Sequence, residues 1–190
     1  MQVYNDKMIL PEHLGGHMNI THIDQGILKY FKSKDASSYL DIGCGPGGML
    51  DEAYKLGYLV QGIDGDNTVK RNLPDNVVIH DFTTGTYNFD TTYDLVWSCE
   101  FVEHVEERYI DNFMKVFQQG KTVCMTYAPI GKKGHHHVNC NTKEYWIEVF
   151  QRYGFTFNQK LTNEVRSNST MKREFFRKYG LVFEHESINN

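Results

Sequence analysis

A short apolar run, Ser38 to Ile42, passes directly into Gly43-Cys44-Gly45-Pro46-Gly47-Gly48 and then into a helical stretch reaching about Leu56. Such a segment reads as strand, tight turn and helix, because glycines let the backbone reverse sharply and approach a ligand with no Cβ in the way. The alternation then repeats. Further strands are expected at Tyr58 to Ile63, Val77 to His80, Tyr93 to Cys99, Lys121 to Tyr127, Phe155 to Leu161 and Gly180 to His185. Between them lie helical patterns at roughly Val102 to Gln118, Thr142 to Tyr153 and Thr170 to Tyr179, and another precedes the first strand, with Thr21 as its expected cap. Strands separated by helices imply β-α-β units, hence a mainly parallel sheet covered on both faces.

With 190 residues, 40% of them hydrophobic, the chain can build one substantial core and is short for two. We therefore expect one domain over residues 1–190, in which 1–37 form an N-terminal segment and first helix able to close as a lid, and 38–190 the catalytic core. A net charge of -4 lacks the basic balance of nucleic-acid modules, so nucleic acid is disfavoured as a partner. Cys44, Cys99, Cys124 and Cys140 include no C-x-x-C pair and fit reduced thiols. Met1 to Gly16 has no apolar core of a signal peptide, and no run of about 18 apolar residues occurs. A cytoplasmic protein without a membrane span is expected; the sequence does not specify its oligomeric state.

Asp41, Asp64, Asp81 and Glu100 all fall at or beside predicted strand ends, where open α/β sheets collect their ligands. Gly43-x-Gly45-x-x-Gly48, with Asp64 about 20 residues beyond the first glycine, satisfies the dinucleotide fingerprint, but the same glycines serve a nicotinamide cofactor and a nucleoside equally. Asp41 discriminates between them. A carboxylate just before the turn opposes a pyrophosphate, which relies on helix N-terminal dipoles and backbone N–H groups. It suits instead a cofactor carrying an ammonium and a sulfonium, by several kcal/mol at an effective dielectric of about 20 before desolvation. It therefore suits S-adenosylmethionine.

These residues carry a family resemblance. Tyr39-Leu-Asp-Ile-Gly-Cys-Gly-Pro-Gly-Gly48 resembles motif I of the class I S-adenosylmethionine-dependent methyltransferases, and Gly62-Ile63-Asp64 the acidic motif of their second strand. Ile79-His80-Asp81-Phe82 is similar to the adenine motif, and Tyr93 to Ser98 with Glu103-His104-Val105 to the fourth-strand region and the start of the helix after it. The resemblance implies a Rossmann-like three-layer α/β/α sandwich with a seven-stranded, mostly parallel sheet and an antiparallel last strand. It implies that Gly43 and Gly45 surround the methionine and ribose, with Asp41 near the ammonium. Asp64, with Gly65 beside it, would accept from both ribose hydroxyls; Asp81 and the Phe82 N–H would hold the adenine edge; Ser98 and Cys99 would line the floor near the methyl group. A plainer role for the aspartates is to cap the helices that follow.

For the acceptor, His104 is the candidate contact or base, since an imidazole suits proton removal near neutral pH; local packing or capping competes with that role. His135, His136 and His137, together with Tyr127, sit in and before the loop after the fifth strand, on the predicted ligand edge, and His17 in the segment able to close over the cofactor. These five are the candidate substrate-binding residues. No metal is expected, because adjacent histidines in extended chain point in different directions and cannot turn three rings to one ion. Tyr145 and Trp146 read as core, and Arg166, Lys172, Arg173, Arg177 and Lys178 as a solvated face. The reading is methyl transfer to a small-molecule or sugar-like hydroxyl or amine. Rivals are an RNA or protein methyltransferase, an NAD-dependent oxidoreductase and a non-catalytic nucleotide-binding module.

Overall fold

The computed structural model describes residues 10–187; the first nine residues of the N-terminal segment, with that part of the leader reading, and the last three of the chain lie outside them. Along the chain run α1 (Gln25–Lys32), β1 (Ser38–Ile42), α2 (Gly48–Lys55), β2 (Leu59–Asp64), β3 (Val77–Ile79), β4 (Tyr93–Ser98), α3 (Ile110–Phe117) and β5 (Gly120–Met125). They are followed by α4 (Lys143–Arg152), β6 (Phe155–Phe157), α5 (Gln159–Asn168), α6 (Phe175–Tyr179) and β7 (Leu181–His185). The strands form one sheet in the order β3-β2-β1-β4-β5-β7-β6, in which β7 runs antiparallel to both neighbours. This is the expected mostly parallel, seven-stranded architecture.

Period-two alternation divides each central strand between two cores. Leu40, Ile42, Val96, Val123 and Met125 face α3 and α4, where Phe113, Phe117, Trp146 and Phe150 are buried. Tyr39, Leu95, Trp97 and Cys124 face the other side, against Ile27, Leu28, Met49, Leu50 and Phe176. Each fully buried aliphatic or aromatic side chain contributes about 1.5–3 kcal/mol by removal from water. Ring pairs lock the layers: Phe150 stacks on Phe183 at 4.1 Å and Trp97 on Phe176 at 5.2 Å. Trp146 is core as expected, whereas Tyr145 reaches outward to donate to Glu107 at 2.6 Å. No helix among the described residues is long and apolar enough to cross a membrane.

Three local expectations change. Asp24, not Thr21, caps α1, its carboxylate accepting from Ile27 N at 3.2 Å, while Thr21 Oγ1 accepts from Gly48 N at the start of α2. The long helix expected after β4 is two 3-10 turns, Val102–His104 and Glu107–Tyr109, before α3. Glu103 and His104 thus sit in a loop over the sheet edge. Finally β6 stops at Phe157, because Asn158 turns its side chain to Leu161 N at 2.8 Å and starts α5 where a connection was expected.

Candidate functional site

Parallel pairing of β1 with β2 and β4 puts the ends of these strands side by side, so the polar residues that follow them meet in one cleft. The glycine turn hangs over the gap, Gly43 N donating to Ile63 O at 2.9 Å. Gly43 and Gly45 have φ of 74° and 51°, which a Cβ makes costly.

Asp64 at the tip of β2 holds this turn in place. Oδ2 accepts from Gly45 N at 2.8 Å, and Oδ1 from Asp66 N at 2.8 Å and Arg71 Nη2 at 3.1 Å. Burial raises its pKa, opposed by these backbone donors and by Arg71 and His17. Three of a carboxylate's roughly four lone-pair directions are thereby used. One direction is left open for a further donor, and a second opens if Arg71 turns away.

Asp41 projects from β1 on the same face as Tyr39 and is buried. Burial, then the charge of Asp64, push its carboxyl up to about 8, against an opposing influence of the Tyr39 hydroxyl. An acid held this far above the ordinary range is one that a nearby cation would ionise. Asp81 closes the other end, accepting from Thr83 N at 2.8 Å and facing His13 Nε2 at 2.9 Å. Phe82 is buried beside it, edge-on to Phe101 at 5.7 Å.

The segment before α1 crosses this cleft. His17 Nε2 is 2.9 Å from Asp66 Oδ2, and the Leu14 side chain lies against Gly65, where a Cβ would come within 2.3 Å of Leu14 Cδ2. Beneath the segment are two adjoining cavities. One, of about 540 Å³ including open space, is walled by Asp64, Gly65, Asp81, Phe82, His13 and Leu14. The other, of about 830 Å³, is walled by Asp41, Gly45, Cys99, His17, His135 and His137. Gly43, Glu100 and His104 border both. Burial, then the neighbouring His137, hold His104 down at about 4, so its imidazole is neutral near pH 7 and a weak proton acceptor. Atoms of Glu103, His104 and His137 able to bind a cation lie within 4.8 Å of one another.

Of the residues singled out by sequence, Asp41, Gly43, Gly45, Asp64, Gly65, Asp81, Phe82, Cys99, His104, His17, His135 and His137 border these cavities. Ser98, His136 and Tyr127 border neither. Ser98 is buried and donates to Ile42 O at 3.0 Å; Tyr127 is buried with its ring 5.9 Å from that of Tyr179; His136 lies 6.1 Å from the His13 ring. Sequence reasoning missed His13, Arg71, Phe101 and the buried side chain of Glu103. Two glutamates three residues apart, with a histidine next to the second at a strand end, were the available signal for Glu103; nothing marked Arg71.

A family model described as a methyltransferase domain matches residues 16–186. No curated protein sequence matches the chain. Among solved structures, a TehB-like SAM-dependent methyltransferase from Corynebacterium glutamicum superposes with a TM-score of 0.63 at 15% identity, over 85% of this chain and 88% of that one. The methyltransferase domain of bacterial CtHen1 gives 0.57 at 20% identity, over 85% and 95%. Magnesium protoporphyrin IX methyltransferase from Synechocystis, crystallised with SAM, gives 0.57 at 15% identity, over 84% and 76%.

Proposed function

This chain belongs to the methyltransferase domain family and works with S-adenosylmethionine, and from that premise we propose how its cleft divides the reaction. Adenosine occupies the smaller cavity, its adenine edge at Asp81 and Phe82 and its ribose at Asp64. The methionine end lies along Gly43 and Gly45 toward Asp41, and the methyl group faces the larger cavity. The observation that carries this reading is Asp41: a buried carboxyl at the glycine turn, raised by burial and by Asp64, is complementary to an ammonium and a sulfonium.

The acceptor is a small hydroxyl- or amine-bearing molecule. Among the described residues neither cavity has a lysine or arginine in its walls, so a phosphate-rich polymer meets no cation from them there. Residues 10–24 act as the cover, excluding water from a sulfonium that must meet its nucleophile in line. A magnesium protoporphyrin IX methyltransferase and a plantazolicin methyltransferase share this fold, which supports acceptor choice resting with the loops over the sheet edge.

Calorimetry with S-adenosylmethionine and S-adenosylhomocysteine tests the first part. Both should bind wild type and bind Asp64→Ala more weakly; binding of neither at millimolar concentration defeats the assignment. Radiolabelled methyl transfer compared across sugars, small amines, total RNA and protein tests the second part, and incorporation into RNA or protein alone overturns it.

A further inference from the structure

Where His104 and His137 line the larger cavity, side chains from two separate segments bring unshared electron pairs together. Glu103 is fully buried, and neither of its carboxylate oxygens has a hydrogen-bond partner; buried Nδ1 of His104 has none either. A carboxylate taken out of water without a partner is among the costliest groups a protein can bury. The third member, His137, comes from the loop after β5, and one potential ligand atom from each of the three residues lies within 4.8 Å of the others. Two ligands on opposite sides of one ion at about 2.2 Å are about 4.4 Å apart, so small side-chain rotations suffice for all three to share it.

The frame around them is built. Val138 N and Asn139 N donate to the Glu103 carbonyl at 2.9 and 3.1 Å, and Asn139 Nδ2 donates to Val105 O at 3.1 Å, tying the histidine loop to the Glu103 turn. His137 Nδ1 donates to Lys132 O at 3.0 Å, which sets the ring's tautomer and orientation. The ring rests on Gly134, where a Cβ would fall 2.1 Å from Nε2, so this placement requires glycine.

We propose that Glu103, His104 and His137 bind one divalent transition-metal ion, with Glu100 at the cavity wall as a further donor. Two imidazoles with carboxylates favour Mn²⁺, Fe²⁺, Co²⁺ or Zn²⁺ over Mg²⁺ and Ca²⁺, which prefer all-oxygen sets. The directional objection drawn from the sequence does not arise, because only one of the three adjacent histidines takes part. The ion's role rests on the methyl-transfer reading above. It binds the acceptor hydroxyl and lowers its pKa. The hydroxyl proton leaves to solvent, the acceptor oxygen bonds to the methyl carbon, and the carbon–sulfur bond breaks with its electron pair remaining on sulfur, giving S-adenosylhomocysteine.

The full chain, stripped with a chelator, is titrated with MnCl₂ by electron paramagnetic resonance and with ZnCl₂ by calorimetry, in the absence of methyl donor. One ion per chain is expected, with weakening of roughly tenfold or more in Glu103→Gln and His137→Ala. S-adenosylmethionine affinity is measured separately with EDTA present. Wild type that binds the donor but takes up neither ion, or variants that bind metal as tightly as wild type, overturns the metal site and leaves the donor reading standing. Metal uptake without donor binding does the reverse. Should Glu103→Gln fail to fold, His137→Ala, on a loop at the surface, decides.

Discussion

His17 Nε2 meets Asp66 Oδ2 at 2.9 Å, and this contact pins the segment before α1 across the glycine turn. Asp66 is buried, its other carboxylate oxygen accepting from Thr68 N at 2.7 Å, and Gly45 lies so close beneath that a Cβ there would come 3.0 Å from His17 Cβ. The cover is therefore held at the point where the methionine end of the cofactor is proposed to lie.

Removing that pin should loosen the cover more than the fold. His17→Ala is expected to weaken S-adenosylmethionine by about tenfold, the equivalent of about 1.4 kcal/mol for a lost hydrogen bond to a carboxylate. Calorimetry gives the affinity, and hydrogen exchange should show faster exchange over residues 12–20. Unchanged affinity and exchange would mean that the contact does not hold the cover.

Cofactor binding should release a proton. Burial, then Asp64, hold Asp41 at about 8, well above the usual carboxylate range, so near pH 7 it is largely protonated, and a cation beside it favours the ionised form. Affinity should rise with pH up to about 8, by at most about tenfold per unit, and then level off. For the protein without cofactor the sign is opposite: the raised folded pKa stabilises the protein below about 4, and this contribution fades as pH rises through 8. Titration in two buffers of different ionisation enthalpy measures the proton, and Asp41→Asn should abolish its release. A binding heat independent of buffer in wild type counts against the cationic end lying at Asp41.

Asp24 joins the start of α1 to the connection between α5 and α6. Its fully buried carboxylate accepts from Ile27 N at 3.2 Å, from Thr170 N at 2.9 Å and from the Ser169 hydroxyl. Asp24→Ala removes a helix cap and leaves these donors unpaired, so a loss of about 2–4 kcal/mol is expected in urea unfolding. A loss under about 0.5 kcal/mol would mean that water replaces the carboxylate without penalty.

Gly43→Ala should damage both fold and site. Its φ of 74° costs a residue with a Cβ about 1–2 kcal/mol, and that Cβ would fall 2.5 Å from Phe101 Cδ2. Phe101 also borders the smaller cavity, so a lower melting temperature should accompany weaker binding of S-adenosylhomocysteine. A variant that melts lower yet binds normally would separate the turn from the adenosine site.

Features that depend on neighbours along the chain were legible in the sequence. Asp41, Asp64 and Asp81 could be placed at strand ends because apolar runs and glycine turns mark those ends locally. The capping of α1 was misplaced by three residues because Thr21 and Asp24 both suit a helix start. What separates them is contact with Ser169, Thr170 and Gly48, far away in sequence.

By itself the sequence determined the alternation of strand and helix, the mainly parallel sheet covered on both faces and the acidic residues at its strand ends, since backbone propensity and side-chain period act over a few residues. Only the tertiary structure decided that His13 reaches Asp81 across 68 positions, that Arg71 takes a lone pair of Asp64, and that Glu103 and His137 come together while Tyr127 turns into the core. Those contacts follow from how helices and loops stack on the finished sheet. Packing of that kind is settled by shape and burial between distant segments, which no local pattern encodes.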